Sequence, residues 1–595
     1  MAYKEPASTD VQHEHDLLCT TRKLTRHGLN AAARVISGEG GALAPAASDP
    51  LNVGGALWEL SARLAANPMK LAEAQLSLWV DFLRLSQRMW LRSLGVPLEP
   101  RIQPDKGDRR FQDEAWDAHL PFTFIKKTYL LMSRWLLETV RSVDGMDDET
   151  ARRIEFYTQQ VVDALAPSNF AITNPVVWRT TLESGGRNLL DGLHKLLDDL
   201  EKNGGRLSPE MTDVQAFEVG HNLATTPGKV IYQNELMQLI QYAPATETVA
   251  RTPLLIIPPW LNKYYVMDLT PRNSLVKWLV EQGHSVFVIS WVNPDAELAH
   301  KGFEDYMREG PLAALDAIEH ATGEREVNVA GYCLGGILLA CTLAYMTARK
   351  DARIKSATFL TTMIDFSDVG DIAVFMDDAQ VEALERRMCE QGYLDGHSMA
   401  ATFRMLRAND LIWSFFVNNY LLGKDPLPFD LLYWNSDSTR MPATMHSFFM
   451  RNMYIENRLR EPGGITLAGV PIDVAKVKTP SYILSTREDH IAPWHTTYAT
   501  TQLLSGPTKF VLGASGHIAG VINAPSKNKY GYWANADLPP ASEDWLSSAA
   551  HHEGSWWPDW DRWLKGFSAD TVAARVPGDG ALAPIEDAPG CYVKT

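Results

Sequence analysis

Cys333 is framed by glycines two residues before it and two after, in Gly331-Tyr332-Cys333-Leu334-Gly335. A cysteine so placed can act as a nucleophile toward an acyl carbon. Val327-Asn328-Val329-Ala330 ahead of it has the pattern of a buried strand, and Gly336–Ala348 behind it that of an apolar helix. Strand, sharp turn and helix in that order project the intervening side chain from a sheet edge, with glycines where the strained turn passes close to its neighbours. The helix N-terminus then favours a thiolate and offers backbone N–H groups to a developing oxyanion. Cys341, inside the helical stretch, reads as a core residue.

A nucleophile of this kind needs an acid and a base, which in this order of elements follow it in the chain. Pro480–Ser485 reads as a strand and leads into Thr486-Arg487-Glu488-Asp489-His490, so Glu488 and Asp489 both qualify as the carboxylate by position. The next strand, Lys509–Leu512, runs into Gly513-Ala514-Ser515-Gly516-His517, a small-residue loop that delivers a histidine where a general base belongs. His490 is the rival base. Its adjacency to Asp489 points it away from that carboxylate in an extended segment, so it reads as structural. For the oxyanion, the N–H of Leu334 is one expected donor. The other should come from the loop after an early strand. Leu254–Ile257 is that strand, and because Pro258 and Pro259 have no N–H, Trp260 is the first possible donor.

The elements that must position these residues are legible as a change of rhythm. Residues 1–50 mix polar residues with Gly, Ala and Pro and read as disordered. Residues 51–205 carry apolar residues at helical spacing over 58–94, 114–142, 148–166 and 186–203, the signature of a helical N-terminal domain. From 206 to 595 short apolar runs alternate with helical segments: Leu254–Ile257, Val286–Ser290, Val327–Ala330, Ala357–Thr361, Tyr482–Leu484 and Phe510–Leu512. Such runs suit strands buried on both faces of a parallel sheet. The alternation stops between about 365 and 472 in a helical, aromatic-rich stretch, the expected lid or cap of an α/β-hydrolase fold.

A net charge of −16 over 595 residues argues against nucleic acid as the main partner. The five cysteines, Cys19, Cys333, Cys341, Cys389 and Cys591, are scattered without CxxC or Cys/His ligand spacing, so neither a disulfide framework nor a structural zinc site is supported; no metal and no cofactor are expected. No run reaches about 18 consecutive apolar residues, so no transmembrane segment is expected. The opening residues, MAYKEPASTD, lack the pattern of a secretion signal, and the chain reads as cytoplasmic.

Several long segments together resemble the polyhydroxyalkanoate synthases, specifically the class I type. They include Pro258–Tyr265, Gly283–Phe287 with Ser290–Asp295, the GYCLGG turn, Pro428–Asn435, Arg487–Ile491, Gly513–Asn523 and Gly554–Trp560. The resemblance covers roughly residues 165–595 well and the N-terminal part loosely. It implies a nucleophile at Cys333, an acid at Asp489 rather than Glu488, and a base at His517. The implied reaction polymerises short-chain (R)-3-hydroxyacyl-CoA into polyester and releases CoA, which is part of the substrate. A homodimer, association with polymer granules, and granule coat proteins met through the N-terminal domain are the implied partners. Trp434 matches a tryptophan linked in the family to dimer formation and activity; ordinary aromatic core is its other reading. Trp556, Trp557, Trp560 and Trp563 read as packing. Some family members have Cys where this chain has Trp260. The competing readings are a Cys-dependent thioesterase or polyester depolymerase with the same triad, and a non-catalytic granule-surface protein.

Overall fold

The computed structural model describes residues 53–96, 102–105, 107–205, 207–568 and 570–595; the expectation for residues 1–50 lies outside them. It divides into two compact units, one of residues up to Thr212 together with Arg407–Leu427, the other of Asp213–Leu406 and Pro428–Thr595. Part of the aromatic-rich stretch at 365–472 thus belongs to the helical unit.

The first unit is built from α1 (Val53–Ala66), α2 (Pro68–Ser93), α3 (Leu120–Arg141), α4 (Asp148–Ala164), α5 (Pro175–Glu183) and α6 (Arg187–Lys202). The pattern over 58–94 is two helices rather than one, broken where Pro68 opens the second. Its small core gathers Phe111, Trp116 and Leu130. Gly192 of α6 lets the helix approach the Tyr420 backbone, where any Cβ would collide with the carbonyl. The apolar residues of α2 that periodicity marks as core are largely outside: Leu76, Trp79, Leu83 and Trp90 are all exposed.

The second unit is organised by an 11-stranded sheet. In chain order its strands are β1 (Gly228–Gln233), β2 (Met237–Tyr242), β3 (Leu254–Ile257), β4 (Val286–Trp291), β5 (Val327–Tyr332), β6 (Ile354–Leu360), β7 (Ser481–Thr486), β8 (Thr508–Gly513), β9 (Gly531–Ala534), β10 (Ala550–Glu553) and β11 (Glu586–Asp587). Across the sheet they run β10-β9-β8-β7-β6-β5-β3-β4-β2-β1-β11. β4, β3, β5, β6, β7 and β8 are mutually parallel and the flanking strands antiparallel. The six apolar runs seen in the sequence are these parallel strands, and the architecture is the α/β-hydrolase fold. β1 and β2 escape a sequence reading because polar residues interrupt them; Gln238 and Gln241 are nonetheless buried in the sheet.

Helices α7 (Leu275–Glu281), α8 (Ala313–Thr322) and α9 (Leu334–Ala348) follow β3, β4 and β5 as crossovers. Between β6 and β7 come α10 (Asp378–Gln391), α11 (Asp430–Ser436) and α12 (Ala443–Phe449), and α13 (Trp557–Lys565) follows β10. α9 is apolar on all sides because it is buried on all sides, Cys341 included. In such a parallel sheet the side chains that do chemistry collect beyond the carboxyl ends of the strands.

Candidate active site

β5 ends at Tyr332 and α9 begins at Leu334, so Cys333 alone makes the turn, with φ 52° and ψ −117°. A left-handed φ at a non-glycine residue is strained and persists only when the surroundings dictate it. Here they do. The Cys333 N–H donates to the Leu360 carbonyl at 2.9 Å, and its own carbonyl accepts the Gly336 N–H at 2.9 Å. Thr362 Oγ1 donates to the same carbonyl at 3.3 Å. A Cβ on Gly331 would strike the Gly336 backbone, and one on Gly335 would strike the Ile257 carbonyl of β3. The paired glycines are therefore a requirement of close approach on both sides of the sulfur.

Asp489 sits just past β7, fully buried at its side chain. Its Oδ1 accepts the N–H groups of Ile491 and Ala492, each at 2.9 Å. Its Oδ2 accepts from Thr486 Oγ1 at 3.3 Å and lies 2.7 Å from His517 Nδ1. Glu488, equally eligible by position, is exposed. His490 is half-buried, and the Asp489 oxygen it would need is taken by His517.

His517 follows β8 in a loop tied to the acid's loop by the Glu488 N–H, which donates to the Ser515 carbonyl at 2.9 Å. Its ring stacks on Tyr332 at 5.6 Å between centroids, and the Tyr332 hydroxyl donates to its carbonyl at 3.3 Å. An ionised carboxylate only accepts, so Nδ1 carries the proton toward Asp489 and Nε2 is the nitrogen left for the sulfur. Burial of the ring opposes protonation. The Asp489 carboxylate and the Cys333 sulfur outweigh it and lift the imidazole from 6.5 to about 10. That shift favours the protonated imidazole beside the sulfur.

Leu334 opens α9, and a first helical N–H has no partner within its helix. Trp260 lies three residues past β3, whose last residue Ile257 pairs with Gly331, so both sequence-expected donors come off neighbouring strands at one sheet edge. The Trp260 loop is pinned through its carbonyls. Trp291 Nε1 donates to Pro258 O at 2.8 Å, and Thr439 Oγ1 donates to Trp260 O at 3.0 Å and Leu261 O at 2.5 Å. The Trp260 indole is buried among Phe303, Tyr306 and Phe449.

Tyr454 was not visible as a site residue in the sequence. It lies in a π-helical turn, Met450–Ile455, that continues α12, and packs on Phe366 at 5.1 Å and Phe449 at 5.6 Å. Burial first, and then Cys333, push its phenol above the ordinary value. Aromatic density in the 365–472 stretch was the one available signal. Trp434 is buried on α11 and donates to the Lys263 carbonyl at 2.7 Å. Among the described residues no group of three or more His, Cys, Asp or Glu side chains gathers as a metal site, and no helix is long and apolar enough to cross a membrane.

Residues 107–279 match the family model described as the poly-beta-hydroxybutyrate polymerase (PhaC) N-terminus, and residues 251–524 match the alpha/beta hydrolase fold. Similar curated proteins include a poly(3-hydroxyalkanoate) polymerase of Methylorubrum extorquens, 50% identical over 89% of this chain and 87% of that one. Poly(3-hydroxyalkanoate) polymerase subunits PhaC of Rhizobium meliloti (48% identical, 90% and 88% covered) and Cupriavidus necator (45% identical, 82% and 83% covered) are also similar.

Proposed function

The chain belongs to the poly(3-hydroxyalkanoate) polymerase family, and from that premise we propose that it links short-chain (R)-3-hydroxyacyl units from CoA thioesters through a covalent thioester on Cys333. It is an acyltransferase that makes polyhydroxyalkanoate. The observation that carries the mechanistic reading is the imidazole of His517, braced by Asp489 and raised toward its protonated form beside Cys333.

The Cys333 thiolate attacks the carbonyl carbon of the acyl-CoA, and the N–H groups of Leu334 and Trp260 receive the oxyanion. The bond from carbon to the CoA sulfur breaks as the His517 imidazolium gives its proton to that leaving thiolate. One thioester has replaced another, so the acyl group stays activated; a serine ester would lose that advantage. The neutral His517, held by Asp489, then takes the proton of a 3-hydroxyl whose oxygen attacks the acyl-enzyme, and the Cys333 thiolate leaves. Water at this stage gives free acid instead of polymer. Phe366, Phe449 and Tyr454 pack into an aromatic cluster suited to excluding water, and the parts of the 365–472 stretch that belong to the second unit are the proposed lid. Dimerisation and association with polymer granules are proposed on the same family resemblance.

Incubation with 3-hydroxybutyryl-CoA tests this reading. Thiol release with insoluble polymer supports it. Thiol release with free 3-hydroxybutyrate marks a thioesterase, and no thiol release overturns catalysis by this site.

A further inference from the structure

The tail tryptophans end on the loop that carries the base. Trp556 caps α13 and is fully buried, with its indole Nε1 donating to the Gly520 carbonyl at 3.0 Å. Trp557, also fully buried, donates to the Val521 carbonyl at 2.9 Å. Those carbonyls lie at the end of the turn that carries His517, in which the Gly520 N–H donates to Gly516 O and the Ile522 N–H donates to Ile518 O, both at 2.8 Å. One isolated turn has little stability of its own, and this one contains two glycines, Gly516 and Gly520.

α13 is itself fixed to the strands that present the acid and the base. Asp559 accepts from the Tyr482 hydroxyl of β7 at 3.1 Å and pairs with Lys509 of β8 at 2.6 Å. The helix is therefore a rigid frame from which two donors reach the base's turn. A buried indole N–H without an acceptor is costly, so a displacement of the turn would orphan two donors and two carbonyls at once.

We propose that Trp556 and Trp557 are positioning residues for His517, two buried hydrogen-bond donors that hold its turn and so set the reach of the imidazole to Cys333. The proposal rests on His517 acting as the base. Trp560 provides an internal comparison: it lies on the same helix, equally buried, but its Nε1 donates to Thr358 Oγ1 of β6 at 2.9 Å, away from the loop.

The test uses the full-length chain with Trp556→Phe, Trp557→Phe, both together, Trp560→Phe, and His517→Ala as reference. Phenylalanine keeps an aromatic ring and deletes the donor. Two rates are measured: CoA release from 3-hydroxybutyryl-CoA, and iodoacetamide alkylation of Cys333 at neutral pH followed on its peptide by mass spectrometry. The double variant should lose about 10-fold or more in kcat with KM within about twofold, because a misplaced base loses proximity rather than affinity. Its alkylation rate should fall in parallel. Trp560→Phe should lose thermal stability to a similar degree and keep both rates. Unchanged rates in the double variant, or an equal fall in Trp560→Phe, overturn the positioning role. If His517→Ala retains CoA release, the assignment of the base itself falls and this inference with it.

Discussion

The Nδ1 of His517 lies 2.7 Å from Oδ2 of Asp489 across 28 residues of sequence, inside a site where both side chains are withdrawn from solvent. The other oxygen of the same carboxylate is occupied by two backbone N–H groups, so the carboxylate cannot rotate away without orphaning them. Removing the charge while keeping the shape tests what this pair does. Asp489→Asn should lower kcat for CoA release roughly 10²- to 10⁴-fold, the range seen when a triad carboxylate is neutralised. Steady-state kinetics check it, and a loss under threefold would leave Asp489 without a role in the reaction.

The same pair makes stability depend on pH in a defined direction. His517 is raised from 6.5 to about 10 in the folded protein, so the folded state binds the proton more tightly than the unfolded chain. Its contribution is complete below pH 6.5 and is lost as pH rises through about 10. Thermal melts stepped across that window should show a falling Tm. In Asp489→Asn the slope should flatten, since the carboxylate is the largest influence raising the imidazole. Parallel slopes in the two proteins would refute the linkage.

Cys333→Ser and Cys333→Ala should reduce CoA release by at least about 10³-fold, since each removes the sulfur proposed to begin the cycle. Alkylation should separate the cysteines as well. Cys333 should react with iodoacetamide, while Cys341, fully buried in α9 with its thiol pushed up by burial, should not. Peptide mapping reads both, and modification of Cys341 in the folded protein would contradict its placement.

Gly335→Ala should destabilise the second unit by ~3 kcal/mol or leave the protein insoluble, because the added methyl meets the Ile257 carbonyl where neither backbone can yield. Urea unfolding followed by tryptophan fluorescence measures it. A change below ~1 kcal/mol would show that the turn has more room than the packing indicates.

Trp434 illustrates a role that sequence left divided between core and interface. Its burial and its bond to the Lys263 carbonyl predict that Trp434→Ala costs ~3–5 kcal/mol in the isolated chain. Denaturation at two protein concentrations separates the readings. A loss independent of concentration supports core packing, and a loss that grows on dilution identifies an interface.

Much of the site was legible because its constraints are local. A glycine on each side of a cysteine, a strand before and a helix after, are written in consecutive residues, and the apolar runs of β3 to β8 stand out because both faces of those strands are buried. Tyr454 and the indoles of Trp556 and Trp557 carried no such mark. Each comes from an element well separated in the chain, and an aromatic residue that touches a catalytic loop looks the same in sequence as one that fills a core. Strand β2 was hidden for the opposite reason, since Gln238 and Gln241 break the apolar pattern while lying buried in the sheet.

By itself the sequence determined the alternation of strand and helix, and it proposed a cysteine nucleophile with an acid and a base following it in the chain. It left Glu488 and Asp489 equal by position. Only the tertiary structure separates them by geometry, burying Asp489 beneath two backbone N–H groups with His517 against its free oxygen while Glu488 faces solvent. Only the tertiary structure, too, brings the charge of Asp489 and the sulfur of Cys333 to one imidazole. Proximity of charges in a dry site depends on where the loops of β5, β7 and β8 meet, and the chain specifies that meeting through the packing of the whole sheet rather than through any one segment.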